Sequence, residues 1–223
     1  IITSWNGLMI SAMARAGRIL GEAKYIDAAI RAGDFLWERL RVDGRWRHTW
    51  KDGVAKVNAF LDDVAAVADA CIDVFEATGD PKWLARAVEA ADELREHYLD
   101  AVDGGFYFSP NDHEQLIARS RDFQDSATPS GNGIAATALG RLGLLTGKAE
   151  WTRLAEQTLQ ASSGLISHHP RAGGQLLFAL HFLLGPTREV VFIDGSDETE
   201  AETLWKQVQQ SFLPRSILIR RRQ

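Results

Sequence analysis

Apolar residues along the chain form two kinds of segment. Segments of the first kind are rich in alanine, leucine, valine and glycine on nearly all sides of a helix: 8 to 20, 60 to 77, 132 to 146 and 173 to 184. Segments of the second kind carry one apolar stripe at helical spacing, with Arg, Asp and Glu opposite: 23 to 41, 81 to 99 and 149 to 162. A helix that is apolar all round is buried, whereas one with a single stripe has a wet face. The pattern predicts buried and half-exposed helices in alternation.

A short signature recurs where a buried segment meets a half-exposed one. It is a glycine, an aromatic residue four positions later and an alanine four further: Gly21/Tyr25/Ala29, Gly79/Trp83/Ala87 and Gly147/Trp151/Ala155. A glycine that ends one helix, followed by an aromatic and an alanine on one face of the next, describes a helical hairpin. The hairpin is therefore the repeating unit.

Alternating buried and half-exposed helices predict an inner ring wrapped by an outer ring, which is an all-α toroid of helical hairpins. An open superhelix is the alternative. Successive signatures are further apart than the repeats of common helical superhelices, which span about 34 to 47 residues. The surplus lies in two inserts that each begin with Val-Asp-Gly, at 42 to 44 and 102 to 104, and continue into aromatic-rich stretches. We predict short β hairpins there, on one rim of the ring.

The last part of the chain changes character after residue 185. An apolar run at 189 to 195, a helical pattern at 198 to 212 and a second apolar run at 216 to 219 predict a strand, a helix and a strand. We therefore divide the chain into a helical part, 1 to 185, with three to four hairpins, and a β-α-β segment, 186 to 223, packed on it.

Composition narrows the classes of function. A net charge of −5 disfavours general binding to nucleic acid or to anionic membranes. The longest apolar run is too short to cross a bilayer. Cys71 is the only cysteine, so an intrachain disulfide and a cysteine-rich metal site are excluded, and a cytoplasmic location fits. We expect no metal and no cofactor, because motifs for nucleotide, dinucleotide or zinc binding are absent from the sequence.

Acidic residues near the starts of the buried segments are the candidate catalytic groups. Asp63 and Asp125 are the first choice for an acid/base pair, and Asp62 and Asp122 are the second choice. Glycoside hydrolysis uses such a pair, one carboxyl protonated and one ionised. The alternative is that the acidic pair at 62 and 63 complements the helix dipole and that the segment before residue 132 only caps a helix.

Further polar and aromatic residues accompany the same helix starts and could orient a ligand. They are Trp5, Asn6, His48, Ser130 and Asn132. A sugar ring stacks on tryptophan and bonds to amide and hydroxyl groups, although a buried tryptophan beside a helix cap is the common alternative. A third possibility is epimerase chemistry, which requires two histidines across a cavity, and His48 with His168 is the pair to test.

Four motifs resemble one family across essentially the whole chain. They are Thr3-Ser4-Trp5-Asn6-Gly7-Leu8-Met9, Phe60-Leu61-Asp62-Asp63, Asp103-Gly104-Gly105-Phe106-Tyr107 and Asp125-Ser126-Ala127-Thr128-Pro129-Ser130-Gly131-Asn132. The chain resembles thioredoxin-domain-containing proteins related to spermatogenesis-associated protein 20. The second motif departs from the family pattern Leu-Glu-Asp-Tyr, since Asp62 stands in place of the glutamate and Val64 in place of the tyrosine.

The resemblance implies an N-terminal thioredoxin-like domain followed by a six-hairpin glycosidase-like (α/α)6 toroid. This chain would carry about the latter half of that toroid, so the missing N-terminal half of the same protein is its expected partner. A small carbohydrate-like ligand, processed by carboxylate acid/base chemistry, is the predicted function. The alternative is a non-catalytic module that binds a ligand or partner for the thioredoxin-like domain, because fold alone does not give function.

Overall fold

A computed structural model describes residues 1–113, 118–194, 198–211 and 213–221. The helices of this part are α1 Thr3–Leu20, α2 Ala23–Arg39, α3 Leu61–Thr78, α4 Pro81–His97, α5 Gly131–Thr146, α6 Ala149–Ala161, α7 Ser163–His168, α8 Gly174–Leu184 and α9 Glu198–Gln210. The strands are β1 Arg41–Val42, β2 Arg45–Lys51, β3 Val54–Asn58, β4 Arg188–Ile193 and β5 Ser216–Arg221. Among the helices described, none combines the length and the apolar character that a membrane span requires.

The helices form a curved wall of two layers. In the inner layer α1 packs on α3, α3 on α5, and α5 on α8. The outer layer consists of α2, α4 and α6, each packed on the inner helix that precedes it in the chain. Helix α3 is buried along almost its whole length, because α1, α4 and α5 cover it on three sides. The predicted alternation of buried and half-exposed helices is confirmed for α3 and α5. It is wrong for α1 and α8, which each expose part of their apolar surface, with Met9 60% and Phe178 67% exposed.

Each hairpin turns at the glycine of the repeated signature. Gly21, Gly79 and Gly147 follow the inner helices with φ between 67° and 71°, a left-handed conformation that glycine adopts without strain. The aromatic residue of the signature then packs between hairpins: Trp83 is buried, and its ring lies where a side chain at Gly33 of α2 would be. The signature therefore fixes both the turn and the spacing of the outer helices.

The two inserts differ in structure. The first forms the predicted hairpin as part of an antiparallel sheet in the order β1-β2-β3, with Arg47 opposite Asn58. In the second, the prediction of a β hairpin is wrong, since only the isolated bridge between Leu99 and Phe106 forms. The ladder ends there because the Tyr98 N–H, which the next hairpin bond would use, donates to the Leu94 carbonyl at the end of α4. The backbone groups of Phe106 face away from Leu99 and bond the side-chain amide of Asn132.

The last part of the chain contains the predicted strand, helix and strand. Strands β4 and β5 pair in parallel, α9 contacts α1, and β5 contacts α3 and α5. Residues 195 and 212, which the sequence pattern assigns to the ends of the first strand and of the helix, lie outside the described residues. The segment thus packs on the ends of the inner helices that carry the hairpin glycines.

Candidate functional site

Two carboxylates connect the starts of the inner helices. Asp63, in the first turn of α3, accepts the Ser4 N–H of α1 at 2.8 Å, although 59 residues separate them. Asp125 accepts the Ser130 N–H at the start of α5 at 2.9 Å and the Gln175 N–H at the start of α8 at 2.8 Å. Backbone N–H groups in the first turn of a helix have no partner within the helix, and a carboxylate suits the positive end of the dipole. Each carboxylate thus joins two helices.

Helices α3 and α5 also begin close together. A side chain at Gly131 would lie 2.8 Å from Leu61 Cγ and 3.0 Å from the Asp62 nitrogen, so only glycine allows this approach. Together with the two carboxylate links, the contact places the first turns of α1, α3, α5 and α8 side by side. We call this end of the helical wall the mouth.

Asp63 is buried and also holds a histidine. Its Oδ2 atom lies 2.7 Å from Nδ1 of His48 on β2 and accepts the Phe60 N–H at 3.0 Å. Burial raises the pKa of the Asp63 carboxyl, and the charge of Asp62 adds to the rise, while the bonds from Phe60 and His48 oppose it. The side chain of Asp63 has no exposed surface, whereas about a quarter of His48 is exposed (26%).

Asp62 differs from Asp63 in its bonding. It is half-buried, and its Oδ1 atom is shielded from solvent without any hydrogen-bond partner among the described residues. A buried oxygen without a partner is costly, and a ligand that donates a hydrogen bond would remove that cost. Among the predicted carboxylates, Asp62 therefore has a free acceptor at the mouth.

Aromatic rings line the mouth beside these groups. The Phe60 ring stacks on Phe108 at 4.8 Å with an interplanar angle of 10°, and the His48 ring meets Phe60 edge-on at 5.2 Å. His113 lies beyond, 6.0 Å from Phe60. The Leu61 N–H donates to the Phe108 carbonyl at 2.9 Å, which fastens the second insert to the start of α3. We call the four rings of His48, Phe60, Phe108 and His113 the aromatic platform.

The predicted ligand-orienting residues occupy different positions. Trp5 is 63% exposed in the first turns of α1, and the Asn6 side chain donates to the Ile2 carbonyl. Ser130 caps α5 by accepting the Gly133 N–H, and Asn132 is fully buried, bonded to backbone groups of the second insert. Ser130 and Asn132 therefore hold the backbone around them, whereas the Trp5 side chain is open to solvent.

Two predicted groups lie apart from the carboxylate links. The Asp122 side chain is exposed and accepts the Gln124 N–H of its own turn. His168 is exposed at the last residue of α7. In the described part of the chain, neither side chain bonds to Asp63, His48 or Asp125.

Sequence reasoning missed a charged cluster between the inner helices. Arg141 of α5 donates to Asp69 and to Asp73 of α3, both at 2.7 Å, and Arg15 of α1 donates to Asp73 at 2.7 Å. Burial opposes ionisation of Asp73, but the charges of Arg141 and Arg15 outweigh it and lower its pKa to about 2. We call Arg15, Arg18, Asp69, Asp73, Glu76 and Arg141 the ion network.

The ion network borders a pocket at the other ends of the inner helices. The pocket measures about 260 Å³ and is closed in part by the residues that follow α9. One signal in the sequence could have revealed the network. Asp62, Asp69, Asp73 and Glu76 recur at intervals of seven, four and three residues, which places them on one face of an otherwise apolar helix.

Comparison with solved structures defines the class of fold. A family 76 α-mannanase of Bacteroides thetaiotaomicron superposes with a TM-score of 0.60 at 16% identity, over 73% of this chain and 44% of that one. The cellobiose 2-epimerase of Spirochaeta thermophila gives 0.56 at 19% identity, over 75% and 43%. The unsaturated glucuronyl hydrolase of Bacillus sp. GL1 gives 0.59 at 14% identity, over 93% and 60%. The chain has a partial (α/α)6 toroid of the six-hairpin glycosidase-like class.

Comparison with curated protein sequences identifies relatives of the chain. The chain is distantly homologous to spermatogenesis-associated protein 20, with 30% identity to the Rattus norvegicus protein over 231 residues and 98% of this chain. An uncharacterised Caenorhabditis elegans protein is 28% identical over 96% of the chain. No protein-family profile matches. The chain spans about 29% of the length of the rat relative and 30% of the nematode one.

Proposed function

We propose that the mouth binds a carbohydrate-like ligand and that its carboxyl groups act on the ligand as acid and base. The observation that carries the proposal is the free Asp62 oxygen beside the aromatic platform, at the gathered starts of four helices. Aromatic faces accept the C–H surface of a sugar ring, while carboxylates and helix starts bond its hydroxyl groups. The solved structures with this fold include an α-mannanase, a cellobiose 2-epimerase and a glucuronyl hydrolase, which supports the ligand class.

Within this proposal the predicted residues have different tasks. Asp63 and Asp125 form the acid/base pair, with the fully buried Asp63 acting through a side chain that it bonds. Asp62 is half-buried, and its unpaired oxygen would accept a hydrogen bond from the ligand once the side chain turns towards the mouth. Trp5 offers a stacking surface, because most of its ring is exposed. The remaining predicted groups, Asn6, Ser130, Asn132 and Asp122, shape the mouth through the backbone that they hold.

A panel of mono- and oligosaccharides tests the proposal on the full-length protein. Binding is measured by calorimetry and turnover by product analysis. Asp62→Asn keeps the size of the side chain and removes its charge, so we expect turnover to fall by about 10²-fold or more. Asp103→Asn is the matched control, because Asp103 is exposed in the second insert and pairs with Arg121. Absence of binding by every sugar, or full activity in Asp62→Asn, would overturn the proposal.

One observation favours a second candidate, a module that binds without catalysis. The side-chain oxygens of Asp63 and Asp125 all accept hydrogen bonds from backbone N–H groups or from His48. Carboxylates with such bonds serve the architecture of the mouth even without a reaction. The same panel separates the candidates, since a module binds its ligand without product formation.

We also propose that the chain works as part of a longer protein. The relatives are more than three times as long as the region they share with it, and the resemblance implies a thioredoxin-like domain and the earlier hairpins of the toroid. The division into a helical part, 1 to 185, and a β-α-β segment, 186 to 223, belongs to this proposal. Limited proteolysis of the full-length protein tests it, with cleavage expected near residue 186 before cleavage within the helices.

A further inference from the structure

We propose that His48 and Asp63 form a proton-transfer dyad at the mouth, in which the His48 Nε2 atom exchanges a proton with a hydroxyl group of the ligand or with water. Asp63 is the positioning residue of the dyad. The inference rests on the proposed function, since it names the group through which the buried carboxyl reaches the ligand.

The carboxylate of the dyad is fixed by three donors. Ser4 N–H at 2.8 Å and Phe60 N–H at 3.0 Å hold its two oxygens, and His48 Nδ1 lies 2.7 Å from Oδ2. With no exposed surface, Asp63 cannot touch a ligand itself. Among the residues that the structure describes, His48 is the side chain through which the Asp63 carboxylate reaches the mouth.

The imidazole is held from two sides. His48 lies in the middle of β2, whose register is fixed by the pairs of Arg47 with Asn58 and Thr49 with Lys56 in β3. The edge-on contact with Phe60 sets the plane of the ring. Because both the strand and the ring neighbour are fixed, the direction of Nε2 is fixed as well.

The bonding of His48 leaves Nε2 available. A neutral imidazole that donates its Nδ1–H to a carboxylate has its lone pair on Nε2. Nε2 has no partner among the described residues, and part of the ring is exposed at the mouth. Among the described residues, Asp63 of α3 bonds the ring and Asp62 is its neighbour in the chain, while the His113 ring lies beyond Phe60 and Ser4 of α1 brings no charge.

The proton step balances within the dyad and the ligand. The O–H bond of a hydroxyl group or water breaks, the N–H bond at Nε2 forms, and the oxygen keeps the electron pair and bonds to the anomeric carbon of the ligand. The bond from that carbon to the departing glycosidic oxygen breaks with its electron pair, and the imidazolium, which the Asp63 carboxylate stabilises, gives the proton to this oxygen. Histidine held by a buried carboxylate performs this exchange in unrelated hydrolases, with the carboxylate setting the tautomer.

Two readouts test the dyad on the full-length protein. The first is the ¹⁵N spectrum of histidine-labelled protein near pH 7.5, in which we expect His48 to be protonated on Nδ1 and free on Nε2. In Asp63→Asn the preference for this tautomer should be lost. Finding the proton on Nε2 in the wild-type protein would overturn the dyad, whatever the sugar panel shows.

The second readout is turnover of the sugar that the panel identifies. His48→Gln should lower kcat by about 10²- to 10⁴-fold with little change in KM and with the melting temperature of the wild type. His97→Gln is the matched control, since His97 is also partly exposed and bonded by Nδ1 to Asn111, but lies outside the aromatic platform. Turnover that persists in His48→Gln overturns the dyad and leaves the proposed function in place. Absence of binding and turnover for every sugar overturns both.

Discussion

At the scale of single residues, charge holds together a wall that the sequence pattern presents as apolar. Arg141 is buried and its guanidinium lies between Asp69, Asp73 and Glu76 of α3. Each carboxylate would be costly to bury without a cation, and the two terminal nitrogens of the arginine bond different carboxylates, Asp69 and Asp73. The ion network therefore ties α5 to α3 at a depth where a lone charge would not be tolerated.

Removal of the Arg141 side chain should strongly destabilise the protein. Arg141→Ala leaves Asp73 and its neighbours with too little positive charge in the interior, so we expect the free energy of unfolding to fall by about 3–5 kcal/mol. The measurement is urea unfolding followed by circular dichroism. Arg95→Ala is the control, because Arg95 pairs with Asp92 and Glu150 near the surface, and a loss below about 1 kcal/mol is expected. Equal effects of the two substitutions would contradict the role of the ion network.

The ion network should also make the free energy of unfolding fall as the pH is lowered. The pKa of Asp73 is about 2 in the native protein, against about 3.9 in an unfolded chain, so the unfolded state takes up this proton first as the pH falls. The stabilisation is complete above about pH 5 and should decline by about 2 kcal/mol between pH 5 and 2.

Asp73→Asn isolates this response. Unfolding midpoints measured from pH 5 to 2 should fall less steeply in the variant than in the wild type. Asp63 acts in the opposite direction, since its raised pKa favours the native state at low pH, but it is present in both proteins and cancels. Parallel pH profiles for the two proteins would show that Asp73 does not carry the effect.

At the scale of elements, the turn between α3 and α4 follows directly from its sequence. Gly79 ends α3 with φ of 71°, Asp80 accepts the Lys82 N–H at 3.0 Å, and Pro81 begins α4. Asp80→Ala removes the cap and should cost about 1 kcal/mol of stability, measured by thermal unfolding. Lys148→Ala at the start of α6 is the control, because that position has no side-chain cap. A change of less than about 0.5 kcal/mol is expected there.

The helices could be predicted from the sequence because the extent and the spacing of the apolar residues indicate the same helical segments. Segments with alanine and leucine on all sides became α1, α3, α5 and α8, and segments with one stripe became α2, α4 and α6. The second insert was harder, since distant groups hold its backbone: Phe106 bonds the side chain of Asn132, 26 residues away, and the Phe108 N–H bonds the Ser120 carbonyl. Long-range bonds of this kind leave no periodic trace.

The candidate site was predicted in part. The sequence places acidic residues near the starts of the buried segments, and the structure joins those starts through two of them, Asp63 and Asp125. The bond between His48 and Asp63 was missed, because it depends on how β2 packs against α3. The ion network was missed as well, because acidic residues within an apolar helix also fit a solvated edge.

At the scale of the whole molecule, the wall has two open ends. Inner helix α1 has α3 on one side, and its other side exposes Trp5 and Met9. At the opposite end, α8 exposes Phe178 and Leu184. Under the proposal that the chain is part of a longer protein, further hairpins would pack on the apolar surfaces at Met9, Phe178 and Leu184.

The account depends on helix starts that are joined at one mouth by two carboxylates. Hydrogen–deuterium exchange with residue-level fragmentation tests this directly, since amides in the first turn of a helix otherwise exchange rapidly. We predict slow exchange at Ser4 and Gln175. Asp63→Asn should accelerate Ser4 by about 10-fold or more and leave Gln175 unchanged, while Asp125→Asn should do the reverse. Rapid exchange at both amides in the wild-type protein would contradict the account.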